Sequence, residues 1–176
     1  MPHFQPVSAA YAPPTAGTPK TRYQYDAMGR TTRVTDPDGA VSSVAYSDWS
    51  VTTTDANGRA ITKESDAYGR LIRVTEPACA DHAAPVTTYA YDPAGRLARV
   101  TDAKGSATSI AYDSLGRKIS MTDPDMGAWS YQYDSAGNMT KQTDAKGQIL
   151  EFTYDALNRL LSKRGRPSAG AAAQTL

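Results

Sequence analysis

The sequence predicts an all-β protein, a continuous antiparallel sheet built from β-hairpins, and three observations lead to that fold class. The 176 residues include 13 Gly and 11 Pro but only two Phe and two Trp, a composition typical of short strands joined by many turns. A Tyr-Asp-x-x-Gly-Arg motif recurs along the chain. Between the copies, large side chains alternate with small or polar ones, and this period of two is that of a β-strand.

The motif sets the repeat length of the array. From Asp92 to Asp155 the motif Asp residues follow one another every 21 residues, and Asp66 lies 26 residues before Asp92, so about five residues are inserted there. The 40 residues from Asp26 to Asp66 fit two units with a degenerate copy near 46–48, which makes about seven units. The motif residues are Tyr25, Asp26, Gly29 and Arg30; Asp66, Gly69 and Arg70; Tyr91, Asp92, Gly95 and Arg96; Tyr112, Asp113, Gly116 and Arg117; Tyr133, Asp134 and Gly137; and Tyr154, Asp155 and Arg159.

A second turn signal, Asp followed three residues later by Gly, alternates with the first, as at Asp102 to Gly105. Two turns in 21 residues leave two segments of six or seven residues, which is the length of a strand. Large residues two apart precede each motif turn, as Tyr89 and Tyr91 do, so we expect them on one face of the sheet. In each motif turn the Asp is expected to accept backbone N–H groups, the Gly to adopt a positive φ, and the Arg to pair with the Asp.

The array is predicted to span residues 21–162. Residues 1–20 hold five Pro without any period and predict an extended lead-in. Residues 76–85 begin and end near a Pro and predict a surface loop that interrupts the array. Residues 163–176 are first basic and then rich in Ala, and they predict a disordered tail.

The motif copies resemble the YD repeats of the Rhs family, which includes bacterial Rhs polymorphic toxins, the C components of insecticidal toxin complexes and the animal teneurins. The resemblance covers residues from about 21 to 162 and rests on several copies in fixed register. It implies a curved or spiralling sheet that is part of a β-shell, and in bacterial members that shell encloses a toxin. The chain is therefore expected to be a piece of a shell, secreted or at the cell surface within a larger system, with further YD repeats, its own copies or an enclosed toxin domain as partners.

The overall charge gives no support for several classes of partner. With 19 basic and 18 acidic residues the net charge is +1, which makes no electrostatic case for binding nucleic acid or an anionic membrane. No apolar run approaches the roughly 18 residues that a membrane-spanning helix needs. The N-terminal residues lack the basic and apolar regions of a secretory signal peptide.

No residue is predicted to be catalytic or to bind a cofactor or a metal, and the chain is expected not to be an enzyme. Evenly repeated Asp and Arg side chains do not converge on one pocket. Cys79, with His82 nearby, offers too few ligands for a metal and no recognisable nucleophile site. The spacing from Thr53 to Glu64 imitates a calcium loop, but the flanking segments are predicted strands, so we interpret it as a hairpin turn.

The Tyr-rich face leaves two functions open. Its rings pack the inner face of a structural wall, or they stack on sugar rings as a cell-surface module that binds carbohydrate or protein. The leading interpretation is a non-catalytic repeat protein that encloses or presents a toxin in competition between bacteria or against a host. The candidate ligand residues of the alternative are Tyr89, Tyr91, Tyr131 and Tyr133.

Overall fold

The computed structural model describes residues 19–78, 83–166 and 174–175, and these form one unclosed antiparallel sheet. The strands are hydrogen-bonded in sequence order, from the first to the fifteenth. They are β1 (Arg22–Tyr25), β2 (Thr31–Thr35), β3 (Val41–Ser47), β4 (Ser50–Thr54), β5 (Ala60–Ser65), β6 (Leu71–Thr75), β7 (Val86–Tyr91), β8 (Leu97–Thr101), β9 (Ala107–Tyr112), β10 (Lys118–Asp123), β11 (Gly127–Tyr133), β12 (Met139–Thr143), β13 (Ile149–Tyr154), β14 (Leu160–Arg166) and β15 (Gln174–Thr175). The predicted fold class is confirmed.

Strands β1 to β14 make seven consecutive hairpins, which we number 1 to 7 in chain order. Hairpin 2 (β3–β4) contains the degenerate copy of the motif and closes with only two residues, Asp48 and Trp49. In the other six hairpins the motif turn follows a β-bulge, as where Tyr91 pairs with Leu97. The described residues thus contain seven hairpins, where the motif spacing predicts about seven units.

The two faces of the sheet differ in chemistry. Cross-strand pairs place Ile110 opposite Met121 and Met121 opposite Trp129, so aromatic and aliphatic residues of successive strands share one face. We call this the aromatic face. The opposite face, which we call the polar face, carries residues such as Ser109 and Thr122, which also pair with each other. Among the residues of the aromatic face are Tyr23, Val34, Val44, Tyr46, Val51, Ile72, Val74, Tyr89, Val100, Ile110, Met121, Trp129, Tyr131, Leu150 and Phe152.

No second layer covers the aromatic face within the described ranges. Its central side chains, such as Val100 and Tyr131, are only half-buried, while their neighbours on the polar face, such as Arg99, are exposed. Among the described residues only Ile149 is buried, at 9% exposure. The hairpins thus shield one another from the side, and the face itself remains open.

Neighbouring hairpins pair over a shorter length than the strands allow. Between hairpins 4 (β7–β8) and 5 (β9–β10), three residue pairs join β8 to β9, from Thr101–Ala107 to Arg99–Ser109. These pairs lie next to the second turn, far from the motif turns. Near the motif turns, neighbouring hairpins are joined by side chains and not by paired backbone.

The last strand is longer than the sequence predicts. The sequence predicts a disordered tail from residue 163, but residues 163–166 belong to β14 and pair with β13, from Lys163 opposite Phe152 to Arg166 opposite Ile149. The partner strand extends that far and stabilises this polar segment, and Arg166 also pairs with Glu151 at 3.2 Å. The predicted boundary at 162 was therefore wrong by four residues.

The other predicted regions are described only in part. Lead-in residues 1–18 and tail residues 167–173 and 176 lie outside the described residues, as do residues 79–82 of the predicted loop, which include Cys79 and His82. The ends of that loop are joined by a hydrogen bond of 2.9 Å from the Glu76 N–H to the Pro85 carbonyl.

Candidate functional site

The motif turn is closed by the carboxylate of its Asp. In hairpin 4, one carboxylate oxygen of Asp92 accepts the backbone N–H groups of Ala94 and Arg96, at 3.0 and 2.9 Å. The other oxygen accepts the Arg96 Nε–H at 2.6 Å. The same arrangement recurs at Asp26, Asp66, Asp113 and Asp155. The predicted pairing of Asp and Arg within a turn is present in all five of these hairpins.

The Gly position of the motif turn, three residues after the Asp, adopts a left-handed conformation. Gly95 has φ of 81°, a region that a side chain with a Cβ rarely enters. In hairpin 7 (β13–β14) Asn158 takes this place with φ of 61°. Asn is the residue other than Gly that tolerates this region best, so the exchange preserves the turn.

These hydrogen bonds favour the ionised carboxylates. The hydrogen bond from the Arg96 N–H is the largest influence on Asp92 and lowers its pKa below the ordinary value, against the opposing effect of burial. At Asp66, burial is the largest single influence and raises the pKa, but the hydrogen bonds from Arg70 and Tyr68 together outweigh it. In every motif turn the pKa of the Asp is lowered, which favours the charged carboxylate at neutral pH.

In hairpins 2 and 4 to 7, the Tyr of the motif joins the hairpin to the one before it. The Tyr112 hydroxyl of hairpin 5 donates to the Leu97 carbonyl of hairpin 4 at 2.9 Å. Leu97 lies beyond the three residue pairs that link β8 and β9, so the phenol satisfies a carbonyl at the end of that ladder. The equivalent bonds run from Tyr46 to Thr31, Tyr91 to Leu71, Tyr133 to Lys118 and Tyr154 to Met139, at 2.8 to 3.2 Å.

The motif Arg covers the Tyr ring of the following hairpin. The Arg96 guanidinium carbon lies 4.9 Å from the centre of the Tyr112 ring, and its terminal nitrogen donates to the Asp113 carbonyl at 2.8 Å. We call an Arg of one hairpin and the Tyr of the next a rung. The other rungs are Arg30 with Tyr46, Arg70 with Tyr91 and Arg117 with Tyr133, at 4.1, 4.7 and 4.8 Å.

Between hairpins 6 (β11–β12) and 7 the rung is changed but the link is kept. Asn138 stands at the Arg position, and its amide donates to Asp134 at 3.0 Å and to Asn158 at 2.8 Å. The Tyr154 hydroxyl still donates to Met139. The amide thus keeps a bond to the Asp of its own turn and a bond to the next hairpin, although the second acceptor is the Asn158 side chain and not a backbone carbonyl, and it carries no charge.

The sequence did not predict the rungs. The Arg was assigned only to its own turn, and the Tyr only to packing or sugar stacking. A signal was present, because in three of the four rungs the Tyr lies 16 residues after its Arg, as Tyr112 does after Arg96. In the fourth rung the insertion widens the spacing from Arg70 to Tyr91 to 21 residues.

The four candidate ligand tyrosines fall into two pairs. Tyr91 and Tyr133 belong to rungs, so their hydroxyls donate to backbone carbonyls and an Arg covers one side of each ring. Tyr89 and Tyr131 lie two residues earlier on the open aromatic face, and the Lys118 ammonium lies 4.5 Å from the Tyr131 ring centre. Of the four, Tyr89 and Tyr131 are the more available to a ligand.

The stretch that imitates a calcium loop is a hairpin turn, as predicted. Asp55 accepts the N–H groups of Asn57 and Arg59 at 2.9 and 2.8 Å, and so closes its own turn. Glu64 lies opposite Ser50, at the end of the β4–β5 pairing that is far from the Asp55 turn. In the part of the chain that the structure describes, no three His, Cys, Asp or Glu side chains are grouped as metal ligands. The described residues contain no helix that is long and apolar enough to cross a membrane.

Several solved structures share this fold. The chain matches the crystal structure of TcdB2-TccC3-Cdc42 with a TM-score of 0.76 and 18% sequence identity, over 88% of this chain. It matches the crystal structure of TcdB2-TccC3 with a TM-score of 0.76, and the Photorhabdus luminescens Tc holotoxin pore with 0.74, each at 19% identity and over 88% of this chain. The chain spans only about 9% of the length of each of these chains.

The repeats themselves match a known family. The RHS Repeat family matches residues 15–41, 81–107, 91–128, 112–149 and 133–170, which together are more than half of the chain. The matched ranges contain most of the motif turns and all four Arg–Tyr rungs in full or in part. The chain therefore belongs to the RHS repeat family.

Proposed function

We propose that this chain is a non-catalytic structural segment of an RHS repeat shell, and that its aromatic face encloses or presents a toxin polypeptide. The observation that carries this proposal is the open aromatic face. A row of half-buried side chains runs across the sheet without a second layer over it in the described ranges. Such a surface favours contact with another polypeptide, because covering it removes apolar area from water.

The contacts of the regular polar side chains favour a structural role over a catalytic one. The regular polar groups are used within the sheet, since each motif Asp closes its turn and each rung Arg joins two hairpins. The structural relatives include a Tc holotoxin pore and complexes that contain TcdB2 and TccC3. Further repeats on either side of this segment would complete the shell, and the assembly would act outside the cell or at its surface.

A second candidate function is a module that binds carbohydrate. It is favoured by Tyr89 and Tyr131, whose rings lie on the open aromatic face and belong to no rung. Aromatic rings of this kind stack on sugars, while their polar groups bind hydroxyls. Here Tyr89 and Tyr131 would be the ligand residues.

The test compares binding of an unfolded polypeptide with binding of glycans. The probe is reduced, carboxymethylated α-lactalbumin, which stays unfolded, and the control probe is the native protein. We expect the chain to bind the unfolded form and not the native one, as measured by fluorescence anisotropy. A parallel panel of neutral and acidic oligosaccharides is expected to show no saturable binding.

Two double variants locate the binding to one face. Ile110→Gln with Met121→Gln changes a cross-strand pair of the aromatic face and is expected to weaken binding about tenfold, since it removes two apolar contacts. The matched control, Ser109→Gln with Thr122→Gln, changes the adjacent pair of the polar face and is expected to leave binding unchanged. Equal effects of the two variants, or no binding of the unfolded probe, contradict the proposal. Saturable glycan binding that Tyr89→Ala with Tyr131→Ala removes supports the second candidate instead.

A further inference from the structure

The junction between hairpins 2 and 3 (β5–β6) lacks a rung, and we propose that the notch left there binds an arginine side chain of a partner polypeptide. The notch is an open cavity of about 580 Å³. Its lining includes Asp48, Trp49, Ser50, Glu64 and Ser65. Ile72 of the aromatic face also lines the notch. The proposal does not depend on the function proposed for that face.

The register shows that both members of the rung have been replaced. In the regular hairpins the Arg lies six residues before the Asp of the second turn, as Arg96 does before Asp102. Trp49 lies six residues before Asp55 and therefore stands at the Arg position. The residue before the motif Asp is Tyr in the regular copies, but it is Ser65 in hairpin 3.

The loss of the two large side chains changes the backbone at this junction. Strands β4 and β5 stay paired over five positions, up to Ser50 opposite Glu64, whereas three pairs join β8 to β9. The Ser65 N–H donates to the Trp49 carbonyl at 2.8 Å. The strands therefore close against each other, while the space that a Tyr ring and a guanidinium fill elsewhere is left empty.

The lining of the notch is suited to a cation with an apolar stem. The Trp49 side chain is 61% exposed, and an indole is the aromatic group that attracts cations most strongly. Asp48 and Glu64 add two carboxylates. Among the described residues, Asp48 has no ion-pair partner, and Glu64 has only Arg73 at 3.9 Å.

The other junctions show which cation fits this place. At four of them a guanidinium lies over an aromatic ring and beside a carboxylate, as Arg96 lies over Tyr112 and bonds to Asp92. The notch holds the ring and the carboxylates without the guanidinium. A planar guanidinium can stack on the ring and also donate to a carboxylate, which an ammonium does less well.

The arginine must come from outside this junction. Arg70, the motif arginine of hairpin 3, already pairs with Asp66 and covers the Tyr91 ring. Asp66, which also lines the notch, is therefore already neutralised. Among the described residues, the remaining carboxylates of the notch are Asp48, which has no ion-pair partner, and Glu64, which has only the long contact to Arg73. We assign the occupant to an exposed arginine of another polypeptide chain.

The test uses the full chain with Trp129→Phe, so that Trp49 is the single fluorescent indole. The probe is a hexa-arginine peptide, and the controls are hexa-lysine and a hexa-citrulline peptide, which keeps the shape without the charge. We expect saturable changes in Trp49 emission with hexa-arginine, weaker ones with hexa-lysine and none with hexa-citrulline. Equal responses to hexa-arginine and hexa-citrulline overturn the proposal.

Three variants, followed by anisotropy of the labelled hexa-arginine peptide, separate the notch from general charge attraction. Glu64→Gln is expected to weaken binding about tenfold, since it removes a charge at the site, and the matched Glu151→Gln in β13 is expected to leave it unchanged. Trp49→Arg with Ser65→Tyr rebuilds the missing rung and is expected to abolish binding by filling the notch. If that rebuilt variant binds as the parent does, or if Glu151→Gln weakens binding as much as Glu64→Gln, the site lies elsewhere and the proposal is wrong.

Discussion

At the scale of single residues, the motif Asp is the group on which each turn depends. In hairpin 4 its two carboxylate oxygens accept two backbone N–H groups and one side-chain N–H. These three bonds within the protein take the place of bonds that the same groups would make to water in the unfolded chain. The natural exchanges preserve this role, because Asn138 supplies a donor where Arg is lost and Asn158 supplies a positive φ where Gly is lost. What the turn requires is a donor and a left-handed residue rather than one particular side chain.

The lowered pKa values of the motif Asp residues predict a loss of stability in acid. A carboxyl group whose pKa is lower in the folded state contributes stability that is complete above its unfolded pKa, near 3.8, and that is lost as the pH falls through its folded pKa. The free energy of unfolding, from urea titrations, should be level above about pH 5 and should decline from about pH 4 downward. The carboxyl groups concerned are Asp26, Asp66, Asp92, Asp113, Asp134 and Asp155.

A single variant checks the origin of this pH dependence. Asp113→Asn should destabilise the chain at neutral pH, because its amide cannot reproduce the ionic contact with Arg117. The difference from the unchanged chain should narrow in acid, where the Asp113 carboxylate is itself protonated. A difference that is the same at neutral and acid pH would show that the charge of Asp113 contributes nothing.

At the scale of hairpins, stability depends on how neighbours are joined. Each regular junction has a short strand ladder at one end and a Tyr–Arg rung at the other, as Arg96 and Tyr112 form between hairpins 4 and 5. The rung also satisfies the Leu97 carbonyl beyond the last ladder pair. An isolated hairpin has neither contact, so the array gains stability from each added unit.

Removing one rung hydroxyl should have a measurable cost. Tyr112→Phe leaves the ring under Arg96 but removes the donor to the Leu97 carbonyl, and we expect it to lower the free energy of unfolding by about 1 kcal/mol. Urea denaturation followed by circular dichroism measures the change. The matched control is Tyr23→Phe in hairpin 1 (β1–β2), whose side chain is 56% exposed, and it should change stability by less than about 0.5 kcal/mol. If both variants cost the same, the phenol does not link the hairpins.

The hairpins were largely predictable from the sequence, and the contacts between them were not. Turn residues and the period of two act within about ten residues, so Asp92, Gly95 and the strands beside them could be placed from local chemistry. The rung joins Arg96 to a residue 16 positions later, and no local rule selects that pair. The extension of β14 to Arg166 also depends on a partner strand, because its own polar sequence carries no strand pattern. The notch beside Trp49 forms because Trp49 and Ser65 stand where other junctions have Arg and Tyr. The degenerate motif of hairpin 2 shows that its turn is altered, but it does not show that a cavity results.

At the scale of the whole molecule, the described sheet has an open face and an open edge. Among the described residues the sheet does not close on itself, and β1 has a hydrogen-bonded neighbour on one side only. Tyr23 and Tyr25 of β1 are 56% and 60% exposed and stack on each other at 6.5 Å. A free strand edge beside exposed aromatic rings favours pairing with another strand. In a longer array a preceding repeat would occupy this position.

The isolated chain is therefore expected to self-associate through β1. Sedimentation velocity over a wide range of concentrations should show a weight-average mass that rises above that of the 18.8 kDa monomer. Tyr23→Lys with Tyr25→Lys should reduce this association, because charged side chains oppose the addition of a strand at an edge. Tyr68→Lys is the matched control, since it removes an exposed ring from a turn, at 85% exposure, and should leave the association unchanged. A single monomeric species at every concentration, with a high melting temperature, would mean that this segment of sheet is complete by itself and needs no further repeats.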